Sequence, residues 1–201
     1  MRRILFAFFL VVACATGAAA ESYENAVVAL GRRDFTLAVR LFRPLAEQGD
    51  LQAQVGLGRM YHGGHGVPQD YQEALKWFRK AAEQDDAQAQ SMLGGMYASG
   101  LGSPQDYQEA VKWYRRAALQ GNINAQNSLG RIYAHGKKGV LQDFVRAHMW
   151  YTVAAVALSG DDGKTAMKNR DGVASQMTAA QIEKAQEMVR RCQQSQFNEC
   201  D

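Results

Sequence analysis

A thirteen-residue segment that recurs 36 residues further along the chain constrains this sequence more than any other feature. Residues 70–82 read DYQEALKWFRKAA, and residues 106–118 read DYQEAVKWYRRAA. Looser copies begin at Asp34 and Asp143. Because periods of about 20–50 residues are typical of arrays in which each repeat packs on its neighbours, the sequence predicts a repeat protein.

A second unit, Ala-Gln-x-x-Leu-Gly-x-x-Tyr, alternates with the first and begins at Ala53, Ala89 and Ala125. Apolar residues in both units follow the spacing of an α-helix. The recurring glycine costs a helix about 1 kcal/mol relative to alanine, so its presence indicates that two helices approach closely there. The recurring positions that we expect to be structural are Gly58, Tyr61, Trp77, Gly94, Tyr97, Trp113, Gly130, Tyr133 and Trp150.

Together with Gly-x-Gly loops and Trp-Phe/Tyr-x-x-Ala-Ala segments, these units resemble Sel1-like repeats, which are related to the tetratricopeptide repeat. The resemblance covers roughly residues 34–158. It implies an all-α fold, a right-handed α/α solenoid of antiparallel helix pairs that serves protein–protein contacts. We expect the solenoid over residues 21–176 and a C-terminal capping helix and tail over 177–201. The expected units are 22–48, 51–84, 87–120 and 123–158, with 159–176 as a terminal segment.

The first twenty residues have the composition of a bacterial secretory signal. Arg2 and Arg3 precede an apolar run at 4–13, which is shorter than the roughly 20 residues that a membrane anchor needs. The small residues at 18–20 predict cleavage before Glu21 and a periplasmic or secreted protein. The alternative is a membrane-anchored lipoprotein, since Val-Val-Ala-Cys at positions 11–14 resembles a lipobox and would carry lipid on Cys14.

Two cysteines, Cys192 and Cys200, remain after the signal segment. An even pair in an oxidising compartment favours a disulfide, which would close the end of the chain back toward the last helix.

The charge and motif content exclude several classes of function. Without Arg2 and Arg3 the chain has 21 basic and 20 acidic residues, so it lacks the excess of positive charge typical of a nucleic-acid binder. It contains no phosphate-binding loop, dinucleotide fingerprint or nucleophile elbow, so we expect neither a cofactor nor an enzyme. His62 and His65 lie in a Gly-rich turn without further ligands, and we expect no metal site.

The resemblance also implies which residues line the binding surface. In tetratricopeptide repeats the first helix of each pair faces the concave side. Transferring the corresponding offsets selects polar residues whose arginine and amide groups suit peptide backbone and carboxylates. These residues are Gln52, Arg59, His62, Gln88, Ser91, Asn124, Asn127, Arg131 and His135. A reading in which they are simply solvated helix residues stays open. For Trp77, Trp113 and Trp150, a ligand-stacking platform is the alternative to core packing.

The function expected from these observations is an exported interaction scaffold of the bacterial cell envelope. It would act as a monomer, bind one or more proteins and contact a membrane only if Cys14 is lipidated. Two alternatives remain, a protein that binds or hydrolyses cell-wall fragments or β-lactams, and a secreted factor that meets host proteins.

Overall fold

The computed structural model describes residues 22–157, 160–197 and 200. The predicted signal segment 1–20, with its lipidation candidate Cys14, and the following Glu21 lie outside these residues. The described chain is all-helical apart from one isolated β-bridge. Its helices are α1 (22–31), α2 (Phe35–Glu47), α3 (Leu51–Gly63), α4 (Tyr71–Glu83), α5 (Ala87–Ser99), α6 (Tyr107–Leu119), α7 (Ile123–His135), α8 (Phe144–Ala157), α9 (Gly160–Ala174) and α10 (Ala179–Gln194).

Helices α2 to α7 each begin where an aspartate or asparagine caps them. The carboxylate of Asp70 accepts hydrogen bonds from the backbone N–H groups of Gln72 and Glu73 at 2.9 and 3.0 Å at the start of α4. Asp106 caps α6 in the same way. Such a cap satisfies N–H groups that a helix start leaves without partners.

Within each helix pair the two helices pack side by side as in a helical-repeat solenoid, for example α3 with α4 and α5 with α6. The recurring glycines lie at these contacts. A Cβ atom added to Gly58 would stand 2.7 Å from the ring of Phe78, and one added to Gly94 would stand 2.8 Å from the ring of Tyr114. Real Cβ atoms essentially never come so close, so the predicted close approach of helices is confirmed.

The turns that join α3 to α4, α5 to α6 and α7 to α8 are set by glycine. Gly64 and Gly100 end α3 and α5 in the left-handed conformation, both with φ of 69°. The turn after α7 is one residue longer than the others, as the sequence indicates. There Gly136 has φ 59° and ψ 156°, and Lys137 and Val140 form the β-bridge. The extra residue is therefore absorbed in the loop, and the helix pair is preserved.

The glutamines Gln54 and Gln126 of the Ala-Gln units are buried links between one helix pair and the next. The side chain of Gln54 donates to the carbonyl of Ala46 at 3.1 Å and accepts from Gln84 at 2.8 Å. Gln126 repeats the first bond, donating to the carbonyl of Ala118 at 3.1 Å. Because these amides are almost fully buried, their hydrogen bonds satisfy polar groups that water cannot reach.

The structure divides into two compact units, one ending at Gln84 and the other beginning at Asp85. In the first unit, Phe42 and Leu57 lie in a common core with Trp77. In the second, α8 packs on α7, α9 and α10. The predicted capping helix is α10, which begins with a capping box formed by Thr178 and Gln181.

The C-terminal tail is joined covalently to α10. Cys192 and Cys200 form a disulfide, and both cysteines are buried. The pairing suggested by the cysteine count is thus present in the structure.

Candidate functional site

In the second unit, helix α7 presents a polar face that its own sequence spacing creates. Asn124, Asn127, Arg131 and His135 follow one another at intervals of three or four residues, so they share one side of the helix. On another side, Leu129 is fully buried. All four polar residues were predicted to line a binding surface.

Three adjoining cavities of about 320, 380 and 390 Å³ lie along this face. Arg131 and His135 each line two of them, as do Tyr151 of α8 and Asn169 of α9. We call this surface the α7 groove. Its other polar or charged lining residues are Asn124, Asn127 and Ser128 of α7, Ser99, Gln105, Tyr107 and Tyr114, and Lys137, Gln142, Thr165, Lys168 and Gln176.

The arginine of the groove lies between two buried tyrosines. Burial raises the pKa of Tyr114, while a hydrogen bond with Ser128 and the charge of Arg131 partly oppose the rise. Burial likewise raises the pKa of Tyr151, again opposed by Arg131. Both phenols therefore stay neutral at physiological pH, so neither neutralises the guanidinium.

The described residues that line the groove include basic side chains but no acidic ones. Arg131, Lys137 and Lys168 line it together with His135, and none of the described lining residues carries a carboxylate. Within the described part of the chain, Arg131 and Lys168 form no ion pair. An anionic ligand would therefore meet basic groups that are not already neutralised.

One amide in the groove has an unused acceptor. The side-chain oxygen of Asn127 is inaccessible to solvent and has no hydrogen-bond partner among the described residues. Leaving such a group unpaired costs about 1–3 kcal/mol.

In the first unit the predicted residues do not gather in the same way. Gln52 and Arg59 are exposed on α3. The ring of His62 stands edge-on to Tyr71 at 5.4 Å, and His65 stacks on Phe35 at 5.1 Å. Both histidines thus pack on aromatic rings, and the described residues contain no group of three or more His, Cys, Asp or Glu able to hold a metal ion.

The remaining predicted residues lie on α5. Gln88 is half-buried, and Ser91 is only 8% exposed, so little of its side chain is available to a partner. Neither residue lines the α7 groove. Of the residues selected by the tetratricopeptide offsets, those of α7 thus lie together in the groove, and those of α5 lie apart from it.

Sequence reasoning missed the far wall of the groove, formed by Thr165, Lys168 and Asn169 of α9. Residues 159–176 lack the repeat pattern, so the offset rule could not be applied to them. The only signal was indirect: α9 follows the second helix of the fourth unit and therefore takes the place of a first helix.

The periodic tryptophans belong to the packing between helices. Trp150 is fully buried and Trp77 nearly so, while Trp113 is partly buried. The ammonium group of Lys80 lies 4.4 Å from the ring centre of Trp77, and the Arg116 guanidinium lies 5.0 Å from that of Trp113. Side chains of the protein itself therefore cover the rings, which leaves little room for a stacking ligand.

The repeats identified here match a known family. A model of the Sel1 repeat matches residues 19–50, 51–86, 87–122 and 123–155. The chain belongs to the Sel1 repeat family. Sel1 repeats generally act as scaffolds for protein–protein interaction and are generally not catalytic. Among curated proteins, no sequence matches significantly.

Two solved structures of Sel1-type proteins are similar to this chain. One is a Sel1 repeat protein from Oxalobacter formigenes, with 30% identity and a TM-score of 0.65 over 74% of this chain and 57% of that one. The other is a protective antigen present in uropathogenic Escherichia coli strains, displaying an SLR fold, with 27% identity and a TM-score of 0.68 over 94% of this chain and 44% of that one. This chain spans only about half the length of each.

Among the residues that the structure describes, no helix combines the length and the apolar character needed to cross a membrane.

Proposed function

We propose that this Sel1 repeat protein is an exported scaffold of the bacterial cell envelope that holds a partner protein against the polar faces of its first helices. The observation that carries the proposal is the α7 groove, where Asn124, Asn127 and Arg131 line one cavity. Solenoids usually bind their partners on such an extended surface formed by successive repeats.

Two further features support export. The segment 1–20 has the charge and apolar pattern of a secretory signal. The disulfide between Cys192 and Cys200 suits an oxidising compartment, because structural disulfides are rare in the reducing cytosol.

Partner capture from an envelope extract tests the interaction surface. The charge-reversed variant Arg59→Glu/Arg131→Glu should recover much less partner than the unaltered chain, because both arginines are exposed on first helices. The matched control is Arg40→Glu/Arg190→Glu, which reverses two exposed arginines on the second helices α2 and α10. Equal recovery by the two double variants would count against binding through the first helices.

The intact mass of the chain purified from its native host tests export. A protein that starts at Glu21 supports soluble release, and an acylated Cys14 supports a tethered lipoprotein. A mass that still includes residues 1–20 would contradict export by either route.

A second candidate is contact with host proteins after secretion. It draws on the similarity to the protective antigen from uropathogenic Escherichia coli, which covers 94% of this chain. Detection of the processed chain in culture supernatant would favour this role, and retention of all of it in the periplasm would oppose it.

A further inference from the structure

We propose that the loop joining α7 to α8, residues 136–142, contacts the surface of an anionic phospholipid bilayer. The side chain of Leu141 would enter the bilayer surface, and Lys137 and Lys138 would lie against the lipid phosphates. The inference goes beyond the proposed scaffold function and does not depend on it. It gives the chain a membrane contact that needs no lipid on Cys14, in contrast to the expectation from the sequence.

Leu141 stands where the loops of the two preceding repeats have proline. The three loops align through a shared hydrogen bond, in which a glutamine side chain donates to a carbonyl near the end of the preceding helix. The donors are Gln69, Gln105 and Gln142, at 2.9, 2.8 and 2.8 Å. The residues just before them are Pro68, Pro104 and Leu141. Leu141 is 89% exposed, the highest value among the exposed large apolar residues that the structure describes.

The same loop also contains two positive charges without a nearby counter-charge. Where the earlier loops place one residue between two glycines, His65 or Leu101, this loop places Lys137 and Lys138. Both lysines are exposed, and neither forms an ion pair within the described part of the chain. The nearest carboxylate along the chain, that of Asp143, is bound at the start of α8.

Hydrogen bonds hold the loop in one conformation. Lys137 and Val140 exchange backbone hydrogen bonds of 2.8 and 2.7 Å, and the side chain of Gln108 on α6 donates to the carbonyl of Gly139 at 3.0 Å. Leu141 is therefore exposed on an ordered backbone. A tip that is already ordered loses little conformational entropy when it binds.

The size and charge of the tip favour a bilayer over a pocket in another protein. A stable protein interface buries about 800 Å² on each partner, which one leucine on a short loop does not supply. A bilayer needs no matching cavity, because its surface accepts an apolar side chain anywhere and anionic headgroups attract nearby lysines. Arg131 and His135 line the same cavity as Lys137 and extend the positive charge. Such a contact is reversible, since stable anchoring takes a second signal.

The variant Leu141→Trp tests the contact by fluorescence in the full chain. Its indole should be quenched by bromine on the lipid acyl chains in vesicles with about 30% phosphatidylglycerol in phosphatidylcholine, and about tenfold more lipid should be needed in pure phosphatidylcholine. The chain's own tryptophans are buried or partly buried in the helix packing, so they contribute little.

The matched control is Pro104→Trp, at the aligned position of the preceding loop, which lacks the lysine pair. Its indole should stay unquenched, even where another part of the chain holds the protein on the vesicle. Adding Lys137→Gln/Lys138→Gln to Leu141→Trp should raise the lipid concentration for half-maximal quenching by about tenfold, and 0.5 M NaCl should act in the same direction. Thermal melting verifies that each variant is folded.

Three outcomes would overturn the inference. They are an unquenched indole in Leu141→Trp, equal quenching in Pro104→Trp, and quenching that is the same with and without phosphatidylglycerol. If Leu141→Gln loses the envelope partner while Leu141→Trp stays unquenched, the loop contacts a protein and the bilayer is rejected. Partner capture with Arg59→Glu/Arg131→Glu uses no vesicles, so the scaffold proposal stands or fails separately.

Discussion

Gly130 on α7 packs directly against the ring of Tyr151 on α8, so closely that a Cβ atom at position 130 would stand 2.7 Å from ring carbons Cδ1 and Cε1. The same relationship joins Gly58 to Phe78 and Gly94 to Tyr114. Two of these aromatic partners, Tyr151 and Tyr114, also line the α7 groove. The glycine that allows two helices to approach therefore also fixes a wall of the candidate site.

The close contact predicts that Gly130→Ala destabilises the protein. Overpacking of this kind costs about 1–3 kcal/mol, and the better helix propensity of alanine returns about 1 kcal/mol of that. We expect a net loss of up to about 2 kcal/mol in the free energy of unfolding, measured by urea titration.

The matched control is Gly172→Ala on α9, where an added Cβ atom would meet nothing within 4 Å. This change should leave stability unchanged or raise it by about 0.5–1 kcal/mol. Equal losses in the two variants would refute the packing explanation.

The buried glutamines predict a contrast between two substitutions of similar size. Gln90 and Gln126 are 0% and 1% exposed, but the side chain of Gln90 bonds to both Asp85 and Gln120, whereas the side-chain oxygen of Gln126 has no partner among the described residues. Gln90→Met should cost about 1–2 kcal/mol for its lost hydrogen bonds. Gln126→Met should change stability by less than about 0.5 kcal/mol, because it also removes an unsatisfied oxygen.

Urea titration of both variants measures this contrast. A loss in Gln126→Met as large as that in Gln90→Met would mean that its oxygen is satisfied in solution, for instance by water.

The buried histidine of α8 predicts a loss of stability in mild acid. Burial lowers the pKa of His148 from its usual 6.5, with Arg170 adding to the effect and Asp171 opposing it. Because the pKa is lower in the folded than in the unfolded protein, stability is complete above about pH 6.5 and falls as the pH drops through the folded value. The Tm should therefore be lower at pH 5 than at pH 7.5.

The decrease in Tm between pH 7.5 and pH 5 should be smaller in His148→Gln than in the unaltered chain. His135→Gln, which replaces an exposed histidine of the same unit, should retain all of it. An identical pH profile in His148→Gln and the unaltered chain would show that His148 does not cause the acid sensitivity.

The disulfide predicts that reduction destabilises the C-terminal helix. The bond links cysteines eight positions apart and holds the buried Cys192 of α10 to the tail. Closing so short a loop stabilises a protein by about 2 kcal/mol. Cys192→Ser/Cys200→Ser should lower the Tm and make it insensitive to dithiothreitol, whereas the unaltered chain should melt earlier in the reductant. A Tm unaffected by reduction would contradict this stabilising role.

Much of the fold could be predicted from the sequence alone. The period of 36 residues, the apolar spacing within it and the capping Asp70 and Asp106 are local signals, and each acts within one helix or between neighbouring helices. Even the close contact at Gly130 could be inferred, because a helix retains a costly glycine only where something else requires it. These features are predictable because the same apolar spacing, helix caps and glycine contacts recur in successive repeats.

The candidate site was only partly predictable. Periodicity places Asn124, Asn127, Arg131 and His135 on one face of α7, and that follows from helix geometry alone. Which residues stand opposite them depends on the packing of α9, whose sequence carries no repeat pattern. Lys168 and Asn169 line the groove, but the sequence could not predict this. Their positions are set by contacts between helices and not by spacing along one helix.

The unsatisfied oxygens of Gln126 and Asn127 mark the same division. The repeat pattern is enough to show that amides recur on the first helices. Which amide finds a partner depends on helix packing, because a hydrogen bond requires two groups within about 3 Å and the second group comes from another helix. The repeat thus determines the scaffold, and the packing of its last helices determines what the scaffold offers to a partner.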